Sequence, residues 1–217
     1  MKVLLIGDSC EDRYFYGDVK RLNPEAPVPI LEYRRGVTSK GMVWNVRENL
    51  RSFGVEVYTS THPEEIIKTR YIDEKSNQQI MRYDVEPKIE PLSFDFPTEW
   101  NSLYDALVIS DYNKGFLTTE KIFELTSRFV GPVFIDSKKS NLPADAYIKI
   151  NELEYERMAY CNYENLIITR GDEGAEYKGD LYPAEKVNVF DVVGAGDTFL
   201  AALTYGYLKY GLSLIHI

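Results

Sequence analysis

The stretch Asp191-Val192-Val193-Gly194-Ala195-Gly196-Asp197-Thr198-Phe199 decides the fold, because it places two glycines before a predicted helix. Residues 200–210 continue it with good helix formers. The first N–H groups of a helix have no partner within it, and the helix dipole favours negative charge at the same end. The stretch therefore predicts an anion site built from the backbone amides of Gly194, Ala195 and Gly196.

Asp197 lies at the edge of this predicted anion site. A carboxylate there repels a bound phosphate unless it has a proton to take from an incoming hydroxyl group. An anion site beside a carboxylate is what phosphoryl transfer to an alcohol requires, so Asp197 is the predicted catalytic base. A helix start with an ordinary aspartate N-cap is the structural alternative.

Two other glycine motifs do not match. A dinucleotide-binding fingerprint needs a third glycine where this chain has Phe199, and a P-loop needs Gly-Lys-Ser/Thr, whereas Lys40-Gly41 is followed by Met42.

Five short apolar runs each end in polar or glycine-containing residues, and they are residues 3–6, 106–109, 133–135, 147–150 and 166–168. Such runs are typical of strands buried on both faces. Helical stripes lie between some of them, at Val43, Val46, Leu50 and Phe53, and at Ile122, Leu125 and Phe129. The pattern predicts an α/β fold with a mostly parallel sheet flanked by helices.

Ligands of open α/β sheets bind beyond the carboxyl ends of the strands. The residues expected to gather there are Asp8, Asp111, Asp136, Lys138, Asn151 and Thr169. Turns also select Asp, Asn and Ser, so any one of these residues could serve a turn alone.

A second pattern interrupts the first. Residues 13–18, 28–34, 66–73 and 78–84 are rich in Tyr, Ile, Val and Arg, with partial alternation. They predict exposed or half-buried antiparallel strands. We expect one domain over residues 1–217, with a small β-sheet lid formed by about 12–35 and 66–85.

Composition excludes several classes of function. The chain has 25 Lys and Arg against 34 Asp and Glu, a net charge of −9, which argues against nucleic acid or an anionic membrane as a partner. The aliphatic runs are far too short to span a bilayer, and the start lacks the apolar core of a signal peptide. Two cysteines and two histidines form no zinc-ligand pattern. We expect a cytoplasmic protein.

Ordered motifs along the chain resemble a known family. They are Gly7-Asp8, Asp12-Arg13-Tyr14, Pro24-Glu25-Ala26-Pro27-Val28-Pro29, Asn77-Gln78-Gln79 with Arg82, Ser110-Asp111-Tyr112, and the glycine stretch above. Together they resemble the PfkB/ribokinase-type carbohydrate kinases. Within that family they are most similar to the D-glycero-β-D-manno-heptose 7-phosphate kinases, which form the kinase domain of bifunctional proteins of ADP-heptose and lipopolysaccharide synthesis.

The resemblance implies a ribokinase-like sheet with a lid, ATP as phosphate donor, Mg²⁺, and phosphorylation of a sugar or sugar phosphate. The first candidate substrate is the heptose 7-phosphate, phosphorylated at its anomeric hydroxyl. By position in the motifs, Asp197 would be the base and Gly194, Ala195 and Gly196 the anion hole. The resemblance also implies pairing of two copies through their lids.

Further site residues follow from the same motifs. The nucleotide side would comprise Asn151, Glu154, Thr169, Gly171 and Asp191, with Glu154 organising Mg²⁺ through water. The sugar side would comprise Asp8, Asp12, Arg13, Gly41 and Asn45. Arg82 and Lys138 are candidates for a sugar phosphate.

The sequence departs from the family pattern in three ways. Met42 and Trp44 stand where small residues are usual on the sugar side. The stretches 58–66 and 151–166 are shorter than in the family, and the chain ends at Ile217, before the helices that complete an adenine pocket. We therefore expect a shortened chain or a fragment, and the alternative function is a non-catalytic sugar- or nucleotide-binding relative.

Overall fold

The computed structural model describes residues 1–157, 163–185 and 193–211. The chain forms two compact units. The first contains Met1–Asp8, Met42–His62 and Ile89–Ile217, and the second contains Ser9–Gly41 and Pro63–Lys88. The part of the chain that is described contains no helix of the length and apolarity that crossing a membrane requires.

In chain order the strands are β1 (Lys2–Gly7), β2 (Ser9–Leu22), β3 (Pro29–Met42), β4 (Glu56–Ser60), β5 (Ile67–Asp73), β6 (Gln78–Val85), β7 (Ala106–Asp111), β8 (Val133–Ser137), β9 (Tyr147–Asn151), β10 (Leu166–Thr169), β11 (Ala175–Tyr177) and β12 (Asp180–Tyr182). The α-helices are α1 (Val43–Ser52), α2 (Thr119–Arg128), α3 (Glu152–Arg157) and α4 (Ala195–Tyr210), and short 3₁₀ turns cover Thr98–Ser102 and Gly171–Glu173.

The first unit is built on an eight-stranded sheet with the order β12-β11-β10-β9-β8-β7-β1-β4. All neighbours from β4 to β10 are parallel, and only β11 and β12 are antiparallel. The predicted α/β fold with a mostly parallel sheet is confirmed. Its five apolar runs are β1, β7, β8, β9 and β10, which occupy the inner positions of the sheet.

The strands that sequence analysis missed lie at or next to the two edges of the sheet. They are β4 and β12, which carry more polar and exposed residues, and the three-residue β11 beside β12. An edge strand buries less of its surface, so its sequence shows no continuous apolar run.

Helices α1 and α4 pack together over one face of this sheet. Val43, Val46 and Leu50 of α1 are fully buried in that core, as the predicted stripe required. The prediction that Phe53 belongs to this buried stripe was wrong, because the helix ends at Ser52 and the Phe53 side chain is 38% exposed. Its ring stacks on Tyr205 of α4. A stripe read from spacing cannot show where the helix stops.

Gly7 at the end of β1 allows a close backbone approach to β7. A Cβ atom at this position would lie 2.0 Å from the backbone oxygen of Ser110 in β7. We expect Gly7→Ala to lower the free energy of unfolding by about 1 to 3 kcal/mol, because one of the two strands must shift. Urea unfolding of the two proteins measures this difference, and an unchanged midpoint would contradict the close packing of β1 on β7.

The second unit contains a four-stranded sheet with the order β3-β2-β5-β6. The separate small sheet is as predicted, but the expectation that all its strands are antiparallel was wrong. Strands β5 and β6 are antiparallel, whereas β2 and β5 are parallel over residues 11–17 and 67–73. A long stretch of chain lies between β2 and β5, so the chain can return and run through β5 in the same direction as β2. A tight hairpin turn allows only antiparallel strands. The interpretation of this unit as a lid stays a prediction.

Candidate active site

Asp197 lies in the first turn of α4 and is only 2% exposed. Its Oδ1 accepts a hydrogen bond of 2.7 Å from the Tyr112 hydroxyl, and its Oδ2 accepts one of 3.1 Å from Asn45 Nδ2. The N-cap of α4 is Gly194, with φ of 80°, and no side chain caps the helix. The alternative of an ordinary aspartate N-cap is therefore wrong for Asp197, which faces two neutral donors from other elements.

The surroundings of Asp197 raise its pKa. Burial is the largest cause, and the negative charge of Asp136 adds to it. The hydrogen bonds from Tyr112 and Asn45 and the positive charge of Lys149 act in the opposite direction. A carboxylate with a raised pKa is a stronger proton acceptor than an exposed one, which is what a general base needs.

The predicted anion site contains a buried ion pair that sequence analysis missed. Lys149 Nζ lies 2.7 Å from Asp136 Oδ2, and the two residues are register partners on the neighbouring strands β8 and β9. A Cβ atom on Gly196 would lie 2.8 Å from Lys149 Nζ, so this ammonium group lies directly beneath the first turn of α4. The available signal was a lysine between two isoleucines in a run that otherwise predicts a buried strand.

Glu154 and Asn151 hold each other at the start of α3. Asn151 Oδ1 accepts from the Glu154 amide and Glu154 Oε2 accepts from the Asn151 amide, each over 2.9 Å. This is a reciprocal capping box. The other oxygen of Glu154 forms an ion pair with Lys138, whose ammonium group also lies 5.8 Å from the centre of the Tyr112 ring.

A magnesium ion would fit beside Glu154 only together with the phosphates of a bound substrate. Within the described ranges, no three His, Cys, Asp or Glu side chains are grouped to hold a metal ion. Mg²⁺ is commonly held by one or two carboxylates, water and substrate phosphates, and Glu154 is positioned to supply one such carboxylate. Lys138 is the residue that the ion would have to displace from it.

Asp8, a predicted sugar-side residue, is buried at the end of β1. Its Oδ2 accepts from the backbone amides of Tyr112 and Lys114, at 2.8 and 3.2 Å. Its Oδ1 is buried and has no hydrogen-bond partner among the residues that the structure describes. Burial raises the pKa of this carboxyl group. A buried oxygen of this kind is suited to accept a hydrogen bond from a ligand hydroxyl.

Four other residues that were predicted for the sugar side lie in the second unit. Asp12 is buried and forms an ion pair with Arg70, and a Cβ on Gly41 would overlap its carboxylate. Arg13 pairs with Glu11. Arg82 pairs with Asp84 and its side chain is 51% exposed.

The remaining nucleotide-side residues lie around β10. The Thr169 hydroxyl donates to the backbone oxygen of Ile150 over 3.3 Å. Gly171 begins the short 3₁₀ turn after β10. Asp191 lies outside the described residues.

Met42 stands where the sequence resemblance implies a small residue. It has φ of 57° and ψ of −124°, a conformation that favours glycine, and its side chain is buried. A non-glycine residue held in such a conformation costs about 1 to 3 kcal/mol. Met42 immediately precedes α1, the helix that carries Asn45.

Comparison with known proteins finds similar sequences and folds. Residues 145–216, which include the Asn151 and Asp197 motifs, match the model of the pfkB family carbohydrate kinases. Over this segment the chain is similar to that family. The Bifunctional protein HldE of a Nitratiruptor species is 30% identical over 263 residues, covering 96% of this chain and 57% of that protein. The HldE of Helicobacter acinonychis is also 30% identical, over 271 residues, with 96% and 58% covered. The chain thus spans somewhat more than half the length of these relatives.

Solved structures show the same fold as this chain. A phosphofructokinase-2 mutant from Escherichia coli superposes with a TM-score of 0.69 at 17% identity, covering 98% of this chain and 87% of the other. Ribokinase from Thermotoga maritima gives a TM-score of 0.63 at 16% identity, covering 96% and 86%. At these identities the likeness shows the ribokinase-like fold alone.

Proposed function

We propose that this chain is an ATP-dependent carbohydrate kinase of the pfkB family. The observation that carries the proposal is the first turn of α4, where backbone amides and the buried Lys149 lie beside the Asp197 carboxylate. Donors for a phosphoryl group and an acceptor for a proton are thereby placed at one point.

The reaction follows from this arrangement. An alcohol oxygen of the sugar attacks the γ-phosphorus of ATP, a new O–P bond forms, and the bond from that phosphorus to the β–γ bridging oxygen breaks to release ADP. Asp197 takes the proton of the attacking hydroxyl. The amides of Gly194, Ala195 and Gly196 stabilise the charge on the transferring group. Mg²⁺ would neutralise phosphate charge when it is bound near Glu154.

The first candidate substrate is D-glycero-β-D-manno-heptose 7-phosphate, phosphorylated at its anomeric hydroxyl. The motifs shared with that subgroup support it, and so does the unpartnered Oδ1 of Asp8, which could accept from a sugar hydroxyl. Arg82 and Lys138 are the proposed ligands of the sugar phosphate.

The test measures ADP release from MgATP with the heptose 7-phosphate, fructose 6-phosphate and ribose as acceptors. We expect the phosphorylated heptose to give the highest kcat/KM. Turnover that is highest with ribose would reject the heptose phosphate and retain the kinase. If none of the three sugars supports ADP release, the proposal that the acceptor is a sugar or sugar phosphate is rejected.

Arg82→Gln tests the sugar-phosphate role separately. We expect the KM for a phosphorylated sugar to rise by about tenfold with kcat unchanged, because a hydrogen bond to a charged group contributes about 1.5 to 3 kcal/mol. Arg34→Gln is the matched control, since Arg34 lies in the same unit, is similarly exposed and pairs with Asp18. Equal KM values in the two variants would remove Arg82 from the site.

A non-catalytic binding protein is the second candidate, and the buried Met42 in a glycine conformation favours it. Its side chain could occupy space that a sugar takes in the family. Calorimetry that detects sugar or ATP binding, without ADP release under the same conditions, would support this candidate against the kinase.

We also propose that two copies pair through the sheet of the second unit. Tyr33, Val37, Met81 and Tyr83 of its strands are exposed apolar side chains, which is consistent with a surface that a partner covers. One related solved structure is a tetrameric form of phosphofructokinase-2 from Escherichia coli. Sedimentation of the chain and of a Met81→Lys variant tests this, and equal masses would contradict it.

A further inference from the structure

The two oxygens of the Asp197 carboxylate are held by one neutral donor each. Tyr112 binds Oδ1 and Asn45 binds Oδ2. An ionised carboxylate oxygen accepts about two hydrogen bonds, so each oxygen keeps capacity for one more donor. The acceptor hydroxyl therefore meets a carboxylate whose orientation is already set by Tyr112 and Asn45.

Tyr112 is rigidly placed for this contact. Its backbone amide donates to Asp8. The carboxylate of the preceding residue, Asp111, accepts from three donors. Asp111 accepts from the Asn113 amide, from the Ser137 hydroxyl and from Lys139 Nζ. A tyrosine whose backbone is fixed in this way presents its hydroxyl at a defined point without a large loss of conformational entropy.

The ring of Tyr112 also connects Asp197 to the nucleotide side. Lys138 Nζ lies 5.8 Å from the ring centre and is itself paired with Glu154. A cation over the face of an aromatic ring is attracted to its π-electrons. The same electrons are conjugated with the hydroxyl oxygen, so the cation makes the hydroxyl a stronger hydrogen-bond donor. The contacts thus run from Glu154 through Lys138 and Tyr112 to Asp197.

We propose that Tyr112 is a positioning residue for Asp197, whose hydroxyl orients Oδ1 toward the acceptor and limits how tightly the carboxylate holds a proton. The role in turnover depends on the proposed kinase function, whereas the effect on the carboxylate does not. Among the described residues, Asp197 also faces Asn45 from α1, Asp136 from β8, Lys149 from β9 and Lys138 from the segment after β8.

The sign of the effect follows from the hydrogen bond. The bond stabilises the ionised form, so its loss in Tyr112→Phe raises the pKa of Asp197. The base works only when it is ionised. The acidic limb of the kcat/KM profile therefore moves to higher pH, by about one unit, which is a tenfold change in proton affinity.

The experiment measures this carboxyl group in two ways. In the ligand-free protein labelled with ¹³C-aspartate, the Asp197 carboxyl signal is assigned by its loss in Asp197→Asn and followed through a pH titration. The kcat/KM profile with MgATP and sugar is recorded in parallel. Tyr177→Phe is the matched control, because its hydroxyl donates to Asn165 over 3.1 Å and contacts no group of this site among the described residues.

A second substitution keeps the shape of the ring in case Tyr112→Phe does not fold. Fluorotyrosine inserted at position 112 is a stronger donor, so it should lower the pKa of Asp197 and move the acidic limb to lower pH. Opposite shifts in the two variants, with no shift in Tyr177→Phe, support the inference. An unchanged Asp197 titration in the ligand-free protein overturns it. A shifted titration without any turnover supports the positioning of Asp197 and overturns the proposed kinase function.

Discussion

Asp197→Asn should lower kcat by about 10²- to 10⁴-fold with little change in KM, because it removes a general base and keeps the shape of the side chain. The amide can still occupy the same place. Its oxygen can accept from Asn45, and its NH₂ group can donate to the Tyr112 hydroxyl, which is also an acceptor. Steady-state ADP release with the preferred sugar measures the loss. Equal rates in the two proteins would reject Asp197 as the base.

The stability of this variant provides the control for folding. The pKa of Asp197 is raised above its ordinary value of 3.8, mainly by burial. The folded chain therefore binds this proton more tightly than the unfolded chain. As pH rises above 3.8 and through the raised pKa of the folded chain, ionising the buried carboxyl lowers the free energy of unfolding. We expect Asp197→Asn to be at least as stable as the parent at pH 7, with an advantage that shrinks as pH falls toward 3.8. Urea unfolding at several pH values measures it.

Lys149→Met should have the largest effect on stability. It leaves the buried carboxylate of Asp136 without its partner, and breaking a buried ion pair from one side costs about 3 to 5 kcal/mol. The lost positive charge beneath the first turn of α4 should also lower kcat. Lys20→Met is the matched control, since Lys20 pairs with Asp18 and Glu32 on the surface and its loss should change stability far less.

The double variant Lys149→Met/Asp136→Leu separates the two roles of Lys149. Two apolar side chains can replace a buried ion pair with little loss of stability, so we expect the free energy of unfolding to recover most of its value. Activity should stay low, because the positive charge is still missing from the anion site. A double variant with normal kcat would show that Lys149 serves the fold alone.

The central sheet could be predicted because its strands satisfy a simple rule. Strands β1, β7, β8, β9 and β10 are covered on both faces, so each shows as a continuous apolar run. Periodicity does not reveal strand direction, and this explains the error over β2 and β5. Their alternating pattern is the same whether the strands are parallel or antiparallel, and the direction depends on where the intervening chain runs.

The candidate site was predicted in part. Asp197 and the glycines around it were recognised because a helix start with free amides has a local sequence pattern. Lys149 was missed because a lysine within an apolar run is usually expected to be exposed. Its buried partner, Asp136, lies on another strand and is not adjacent in sequence. Lys138 stays a candidate for a sugar phosphate, and its pairing with Glu154 beside Tyr112 was not visible in the sequence.

The amino-acid sequence alone determined the α/β fold, the family motifs and the helix start that carries Asp197, since each depends on residues close together in the chain. Only the tertiary structure decided the partners of Asp197 and Lys149. Tyr112 follows β7 and Asn45 belongs to α1, and they meet Asp197 because parallel strands bring their carboxyl ends to one edge of the sheet and α1 packs against α4. Contacts between distant segments arise from packing, which leaves no local pattern in the chain.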